Sequence, residues 1–533
     1  MACSNVNSKQ EKSMILNRDE YRKKVLGCWM GKNIGGTVGA PFEWKRQVNN
    51  ISFYTQELKG EPLPNDDLDL QLLWLIALED RGTELDSKTL AELWLVYVAA
   101  HWSEYGVTKT NLRAGLLPPL SGTHNNVFKD SCGAACRADI WACIAPGCPQ
   151  TTARYAREDA ILDHGKGEGT YAAVFCAVME SAAFVEKNLH TLIDVGLSYI
   201  PADCGVALAT KLAVDFHRAG KSWLETRDEI LRRFRGLHRP NKPQNISAED
   251  RAKGFADGKL GWDAPSNIGM IVIGLLYGGG DFGKSLCTVV NCGEDTDTTA
   301  ATVGSIFGIM HGIDAIPQKW IEPIGHSIKT LCLNLGDLTA VAKIPLTTEE
   351  LTDRTEVVAR EVLRRNRLPV VIADKPTDLG GLKAESLLAG PLVKSLYENL
   401  GGPVFHFDFF DVAVDYGDDP LIRDGVPREI RVSIINKFKL GLDVPYYSLQ
   451  ANLNLRWLAP ENWKILPSRL AQCFSWRAGS DPSTAVFTAQ IDRVESQLLR
   501  LAIEISLEGQ PGVMLVPVTF LNGNGREIKN GNE

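Results

Sequence analysis

Val290-Asn291-Cys292-Gly293-Glu294-Asp295-Thr296-Asp297-Thr298-Thr299-Ala300-Ala301 opens an apolar helical stretch with acids and hydroxyls crowded into its first turn. Pro64-Asn65-Asp66-Asp67-Leu68-Asp69-Leu70 opens a second helix in the same manner. One explanation is capping: an Asn or Asp side chain accepts a free N–H at the helix start, and acids suit the positive end of the helix dipole. A cap needs one side chain, however, and each start offers two or three carboxylates beside an amide or a hydroxyl. Crowded carboxylates repel one another unless a cation lies between them. Mg²⁺ and Mn²⁺ prefer such hard oxygen ligands, and two clusters meeting in space could hold a pair of ions about 3.5–4 Å apart. No His stands among these residues, which disfavours zinc.

Outward from these starts, apolar residues recur at helical spacing, as in Leu70, Leu73, Trp74, Ala77, Leu78 and again in Leu90, Leu93, Trp94, Tyr97, Val98. The spacing predicts an all-α domain over residues 16–367, interrupted by glycine-rich turns at 31–39, 165–169 and 278–280. Residues 368–403, punctuated by Pro369, Pro376, Gly380-Gly381, Gly390-Pro391 and Gly401-Gly402-Pro403, read as a linker. Beyond it the period changes to two, in Val404-Phe405-His406-Phe407, Ile430-Arg431-Val432-Ser433-Ile434 and Thr484-Ala485-Val486-Phe487. Short strands separated by turns predict an antiparallel β-sandwich domain over residues 404–521. Residues 1–15 and 522–533 read as polar tails. No internal repeat is found, which excludes a solenoid.

The net charge is −8 and Lys and Arg are scattered, so the chain lacks the basic stripe of a nucleic-acid or anionic-membrane binder. A small-molecule or protein-linked substrate fits better. The N-terminal residues are polar and no apolar run reaches the roughly 20 residues of a membrane helix, which leads to the expectation of a soluble, cytoplasmic protein. Twelve cysteines fall mostly inside apolar helical patterns and not in a disulfide framework. Cys132, Cys136, Cys143 and Cys148 do not repeat a paired CxxC, and buried structural thiols are the simpler reading.

With these residues in view, the helical region resembles the ADP-ribosylglycohydrolase family. The run from Val290 to Ala301, followed by Gly304, Gly308 and Gly312, is similar to that family's Gly-Gly-Asp-Thr-Asp-Thr helix. The resemblance implies two divalent metals, Mg²⁺ or Mn²⁺, ligated by Asn65, Asp66, Asp67, Asp295, Asp297 and Thr298, with Asn65 standing where the family has Thr. Gly27-Cys28-Trp29-Met30-Gly31-Lys32-Asn33-Ile34-Gly35-Gly36-Thr37-Val38-Gly39-Ala40-Pro41-Phe42-Glu43 resembles the family's opening helix. There the resemblance makes Glu43 a residue beside the metals that contacts water or the substrate's ribose, while Lys32 replaces a common Asp. The glycines alone are equally explained by close helix packing.

Asp130-Ser131-Cys132-Gly133-Ala134-Ala135-Cys136-Arg137 looks like the family's glycine loop, in which backbone N–H groups and Ser131 and Gly133 face the substrate. A plain helix cap by Ser131 and a structural ion pair for Arg137 are the alternatives. Asp163-His164-Gly165 resembles the family's Thr-His step and makes His164 a substrate contact, against the ordinary reading of a hydrogen-bonded core histidine. Trp29, Trp44, Phe128 and Trp141 either stack on a ligand or pack the core. The run from Leu453 to Pro467 is similar to accessory β-sandwich modules of some glycoside hydrolases.

The expected activity is hydrolysis of a ribosyl or related furanosyl glycosidic bond by a metal-activated water, with Glu43, Asp66, Asp67, Asp295 and Asp297 as the catalytic carboxylates. The alternatives are a pair of carboxylates acting as acid and base without metal, a glycosidase for a carbohydrate other than ADP-ribose, and a non-catalytic ADP-ribose or sugar binder on the same fold.

Overall fold

The computed structural model describes residues 14–235, 247–253, 262–390, 396–398, 400–417, 419–437, 450–476, 478 and 480–525. Most of the two expected tails, 1–13 and 526–533, lies outside them. The chain divides into two compact units, Met1–Gly106 with Val127–Leu396, and Val107–Asn126 with Tyr397–Glu533.

Among its described residues the first unit is helical apart from one small sheet, in which β1 (Met14–Asn17) pairs in parallel with β2 (Val370–Ala373). The expected linker therefore begins inside this unit, because Val370 and Ile372 are buried by the pairing. Helix α1 (Arg18–Gly39) starts on the Asn17 side chain, which accepts the Glu20 N–H at 3.1 Å. Its later turns are buried on every side and run antiparallel to the helix Thr296–His311.

The two helices meet through small residues spaced by four. Gly27, Gly31, Gly35 and Gly39 of α1 lie against Gly308, Gly304, Ala300 and Thr296. A Cβ on Gly31 would lie 2.5 Å from the Gly304 carbonyl carbon, and one on Gly27 would lie 2.7 Å from the Gly308 oxygen. Only hydrogen at these positions lets the backbones touch, and the four-residue spacing follows from helix geometry, which returns the same face each turn. The packing explanation of the glycines therefore holds, and residues 31–39, expected as a turn, continue α1 because their glycines meet a neighbouring backbone; the seam brings the C-terminus of α1 onto the first turn of the second acidic helix.

Helix α2 (Asp66–Arg81) carries the other acidic start and buries Leu70, Leu73, Trp74 and Ala77. It stops at Gly82, whose φ of 83° is open to a residue without Cβ. Among the described residues no helix is long and apolar enough to cross a membrane, and every cysteine is free.

The second unit is a pair of five-stranded sheets. Its strands are β3 (Val404–His406), β4 (Phe410–Asp415), β5 (Leu421–Ile422), β6 (Arg428–Asn436), β7 (Ala451–Leu458), β8 (Trp463–Leu466), β9 (Leu470–Ser475), β10 (Ser483–Ile491), β11 (Leu498–Leu507) and β12 (Val513–Asn522). They order as β3-β4-β6-β10-β8 and β5-β12-β11-β7-β9. Pairing is antiparallel except between β12 and the short β5. Alternate residues such as Leu453, Leu455 and Trp457 on β7 and Val516, Val518 and Phe520 on β12 point into one core, as the period of two requires. Trp463 stacks on Phe520 with ring centroids 5.5 Å apart. Leu116 and Leu120 bury in this same core. The segment Val107–Asn126, placed by its periodicity in the helical domain, thus packs with the strands, since helical spacing marks an apolar face without naming the core that receives it.

Candidate active site

The glycine seam ends where Thr296 Oγ1 donates to the Gly39 carbonyl at 2.8 Å. From there the chain turns through Ala40–Phe42 and delivers Glu43 beside the Thr296–His311 helix start. A short antiparallel bridge, Lys45 to Glu294, secures the crossing. Trp44 N–H donates to the Glu294 carbonyl at 2.9 Å and Glu294 N–H to the Lys45 carbonyl at 3.3 Å. The two acidic starts touch directly, because Thr298 Oγ1 donates to Asp67 Oδ1 at 3.2 Å. Carboxylate oxygens of Glu43, Asp295 and Asp297 all lie within 4.8 Å of one another. Glu43, Asn65, Asp66, Asp67, Asp295, Asp297 and Thr298 line one cavity of about 320 Å³.

Capping accounts for part of this set. Asn65 is the cap of α2, its Oδ1 accepting the Asp67 N–H at 2.7 Å, and its amide packs on Gly36, where a Cβ would lie 3.3 Å from the Asn65 Cγ. Asp295, at the corresponding position of the other helix, makes no cap hydrogen bond and accepts instead from the Cys132 thiol at 3.1 Å. Asp67 Oδ2 and Asp297 Oδ1 are buried with no hydrogen-bond partner.

Burial and then the neighbouring carboxylates raise the pKa of Glu43 to about 9 and of Asp67 to about 7. Burial and the Asp67 charge raise Asp66 to about 6, against hydrogen bonds from Tyr105 and Trp102. Asp297 rises to about 6 and Asp295 well above its ordinary value, again chiefly by burial. A cluster that resists ionisation and carries orphaned carboxylate oxygens suits a hard divalent cation, which supplies the missing counter-charge and partners.

Lys32 does not enter the cavity. It is buried in an ion pair with Asp139 at 3.0 Å and donates to the Cys136 carbonyl at 2.6 Å, while its charge favours the ionised form of Asp67.

The glycine loop contributes less than its resemblance implied. Ser131 N–H is spent on the Phe128 carbonyl (2.9 Å), Cys132 N–H on the Trp262 carbonyl (2.9 Å) and Ala134 N–H on His164 Nε2 (3.0 Å). Ser131 and Gly133 do line the cavity, and Ser131 Oγ is buried without a partner.

His164 is not among the lining residues. It is fully buried, and because Nε2 accepts from Ala134, Nδ1 carries the proton and donates to the Lys129 carbonyl at 3.2 Å. Burial lowers its pKa, so it is a neutral brace beneath the loop. Arg137 takes the structural alternative, paired with Asp159 at 3.0 Å and Asp163 at 2.8 Å.

No pattern in the sequence marks Glu104, which also lines the cavity. Its carboxyl packs on Gly133, where a Cβ would lie 3.1 Å from the Glu104 Cδ, and burial raises its pKa to about 7. Oxygen and nitrogen atoms of Glu104, Asp163 and His164 gather within 4.8 Å, but the last two are already committed to Arg137, Ala134 and Lys129. Trp44 and Trp102 line the cavity while about half exposed, and Trp262 packs edge-on to Trp44 at 5.3 Å and against Phe128 at 5.6 Å. Trp29 and Trp141 belong to the core.

The helical unit thus gathers carboxylates from separated helix starts into one cavity. Residues 17–354 match the family model described as ADP-ribosylglycohydrolase, and the chain belongs to that family. An uncharacterized protein of Archaeoglobus fulgidus is 25% identical over 320 residues, covering 56% of this chain and 91% of its own length. A solved structure titled an ADP-ribosylglycohydrolase-related protein complex is 20% identical, covering 64% of this chain and 99% of that one at a TM-score of 0.40. Family membership points to hydrolysis of a glycosidic bond; the strands of the second unit lie outside the family match, while its segment Val107–Asn126 falls within it.

Proposed function

We propose that this chain hydrolyses a ribosyl or related furanosyl glycosidic bond with a pair of divalent cations, Mg²⁺ or Mn²⁺. The observation that carries the reading is the junction of the two acidic starts through Thr298 and Asp67, with Asp67 Oδ2 and Asp297 Oδ1 left unpartnered. Asn65, Asp66 and Asp67 would hold one side of the cation site and Asp295, Asp297 and Thr298 the other. When bound, the cations supply Lewis acidity, bind vicinal hydroxyls and lower the pKa of a water.

The residues do the rest of the work. Glu43, whose pKa of about 9 keeps it protonated in the cation-free cavity, stands beside Asp295 and Asp297 and positions the sugar or the attacking water. The rings of Trp44 and Trp102 offer apolar faces to the substrate. Buried free thiols favour a reducing, cytoplasmic setting.

A second reading, a glycoside without phosphates, draws support from the lining. Among the described residues no Lys, Arg or His lines the cavity, and the loop N–H groups expected to receive an anion are mostly spent.

The test is a product screen with Mn²⁺ or Mg²⁺ across ADP-ribosylated protein, nucleosides and neutral furanosides, repeated after chelation. Release of free sugar that stops on chelation is expected. Turnover that survives metal stripping refutes the metal reading, and tight ligand binding with no product at high enzyme concentration favours a binding protein. Preference for a neutral furanoside over the ADP-ribosylated substrate decides for the second reading.

A further inference from the structure

Glu43 and Asp295 enter the cavity from two segments that cross in an unfavourable backbone conformation. Trp44, at φ 59°, and Glu294, at φ 69°, both lie in the left-handed region, which a bulky side chain occupies only under constraint. They are joined by the Trp44 N–H to Glu294 carbonyl bond of 2.9 Å, and each directly adjoins one of the two site carboxylates. Gly293, at φ 75°, is pressed onto the same crossing: a Cβ there would lie 2.9 Å from the Lys45 carbonyl oxygen. Something outside the cavity must hold this conformation.

The Glu294 carboxylate is fully buried between Arg46, 3.2 Å away through Nε, and Arg235, which donates through Nη2. Arg235 caps the helix Trp223–Phe234, and Arg227 of that helix donates to the Cys292 carbonyl at 2.6 Å. The loop of Cys292, Gly293 and Glu294 is thus gripped from one helix on both sides of its glycine. Buried ion pairs contribute little net stability, because desolvation offsets their attraction, and what they fix best is geometry.

We propose that Arg46, Glu294 and Arg235 form a positioning triad that holds the left-handed crossing in place, so that Glu43 and Asp295 face each other across the cation site. The inference rests on the metal-dependent reading given above. None of the three is a catalytic residue, since none lines the cavity.

The experiment titrates Mn²⁺ into the metal-free full chain by calorimetry, for wild type, Glu294→Gln and Arg235→Lys, alongside circular dichroism and thermal melting. Glu294→Gln keeps the shape and removes the charge; it is expected to retain the fold and weaken Mn²⁺ binding about tenfold. Arg235→Lys keeps the charge and loses the planar guanidinium that reaches Glu294 through Nη2. It is expected to weaken binding about threefold, and it carries the test where Glu294→Gln does not fold. A merely structural role lowers the melting temperature and leaves the Mn²⁺ affinity of folded protein within twofold of wild type, which would overturn the triad. A wild type that binds no Mn²⁺ overturns the metal reading itself.

Discussion

Gly304→Ala separates two opposing expectations. Local propensity alone makes alanine the better helix residue, by about 1 kcal/mol. The seam predicts the reverse. A Cβ on Gly304 would lie 2.6 Å from the Gly31 carbonyl carbon, against an ordinary carbon–carbon separation of about 3.5–4.0 Å, so the helices must part by roughly 1 Å.

The obstacle is backbone on both sides and cannot rotate away. The upper part of the usual overpacking range, about 3 kcal/mol, therefore applies. Set against the propensity gain, the net expectation is a destabilisation of about 2 kcal/mol. The displacement also reaches the site, because Glu43 and Thr298 hang from the same helix pair. Urea unfolding followed by circular dichroism reads the first effect and calorimetric Mn²⁺ binding the second. A variant as stable as wild type, or more stable, refutes the seam as the feature that sets the helix separation.

Asp67→Asn removes a buried charge with an orphaned oxygen; Mn²⁺ affinity should fall at least tenfold while the metal-free melting temperature stays level or rises. In the metal-free protein, Asp66 and Asp297 titrate near 6, Asp67 near 7 and Glu43 near 9, all above their unfolded values. The folded chain then binds more protons than the unfolded one, so this cluster's contribution to stability declines as pH rises from about 4 through about 9. Saturating Mn²⁺ should flatten or reverse that slope, and melting curves from pH 5 to 8.5 with and without the ion measure it. His164→Ala leaves the buried Ala134 N–H without its acceptor, a loss of about 1–3 kcal/mol in the urea transition. Mn²⁺ affinity should remain within twofold; a larger loss would place His164 nearer the cations than its burial shows.

The acids of the site could be read from the sequence because they exceed what a cap requires: one amide, Asn65, suffices to cap α2, and Asp66 and Asp67 add two carboxylates beyond it. Glu104 could not be found this way. It stands alone near a helix start, and only tertiary packing lays its carboxyl on Gly133. His164 misled for a related reason: the neighbouring glycines suggested exposure, whereas they are small so that a buried ring fits, a Cβ on Gly169 falling 2.5 Å from the His164 Cγ. Ser131 and Gly133 line the cavity, but nothing local tells that Trp262, far along the chain, claims the Cys132 N–H. The helical and strand regions declared themselves by their periods. The membership of Val107–Asn126 in the strand unit did not, because Leu116 and Leu120 carry no mark of which core they join.

The pairing of β1 with β2 joins Met14 to Val370, the first described residue to one near the end of the helical unit. In a growing chain β1 therefore waits for a partner made some 350 residues later, roughly 20 to 70 s at ordinary synthesis rates. The bond from Thr298 to Asp67 spans 231 residues in the same way. The acidic helix starts remain apart while most of the unit is being synthesised, so the carboxylate cluster is assembled only after the helix that carries Asp297 and Thr298 has been made.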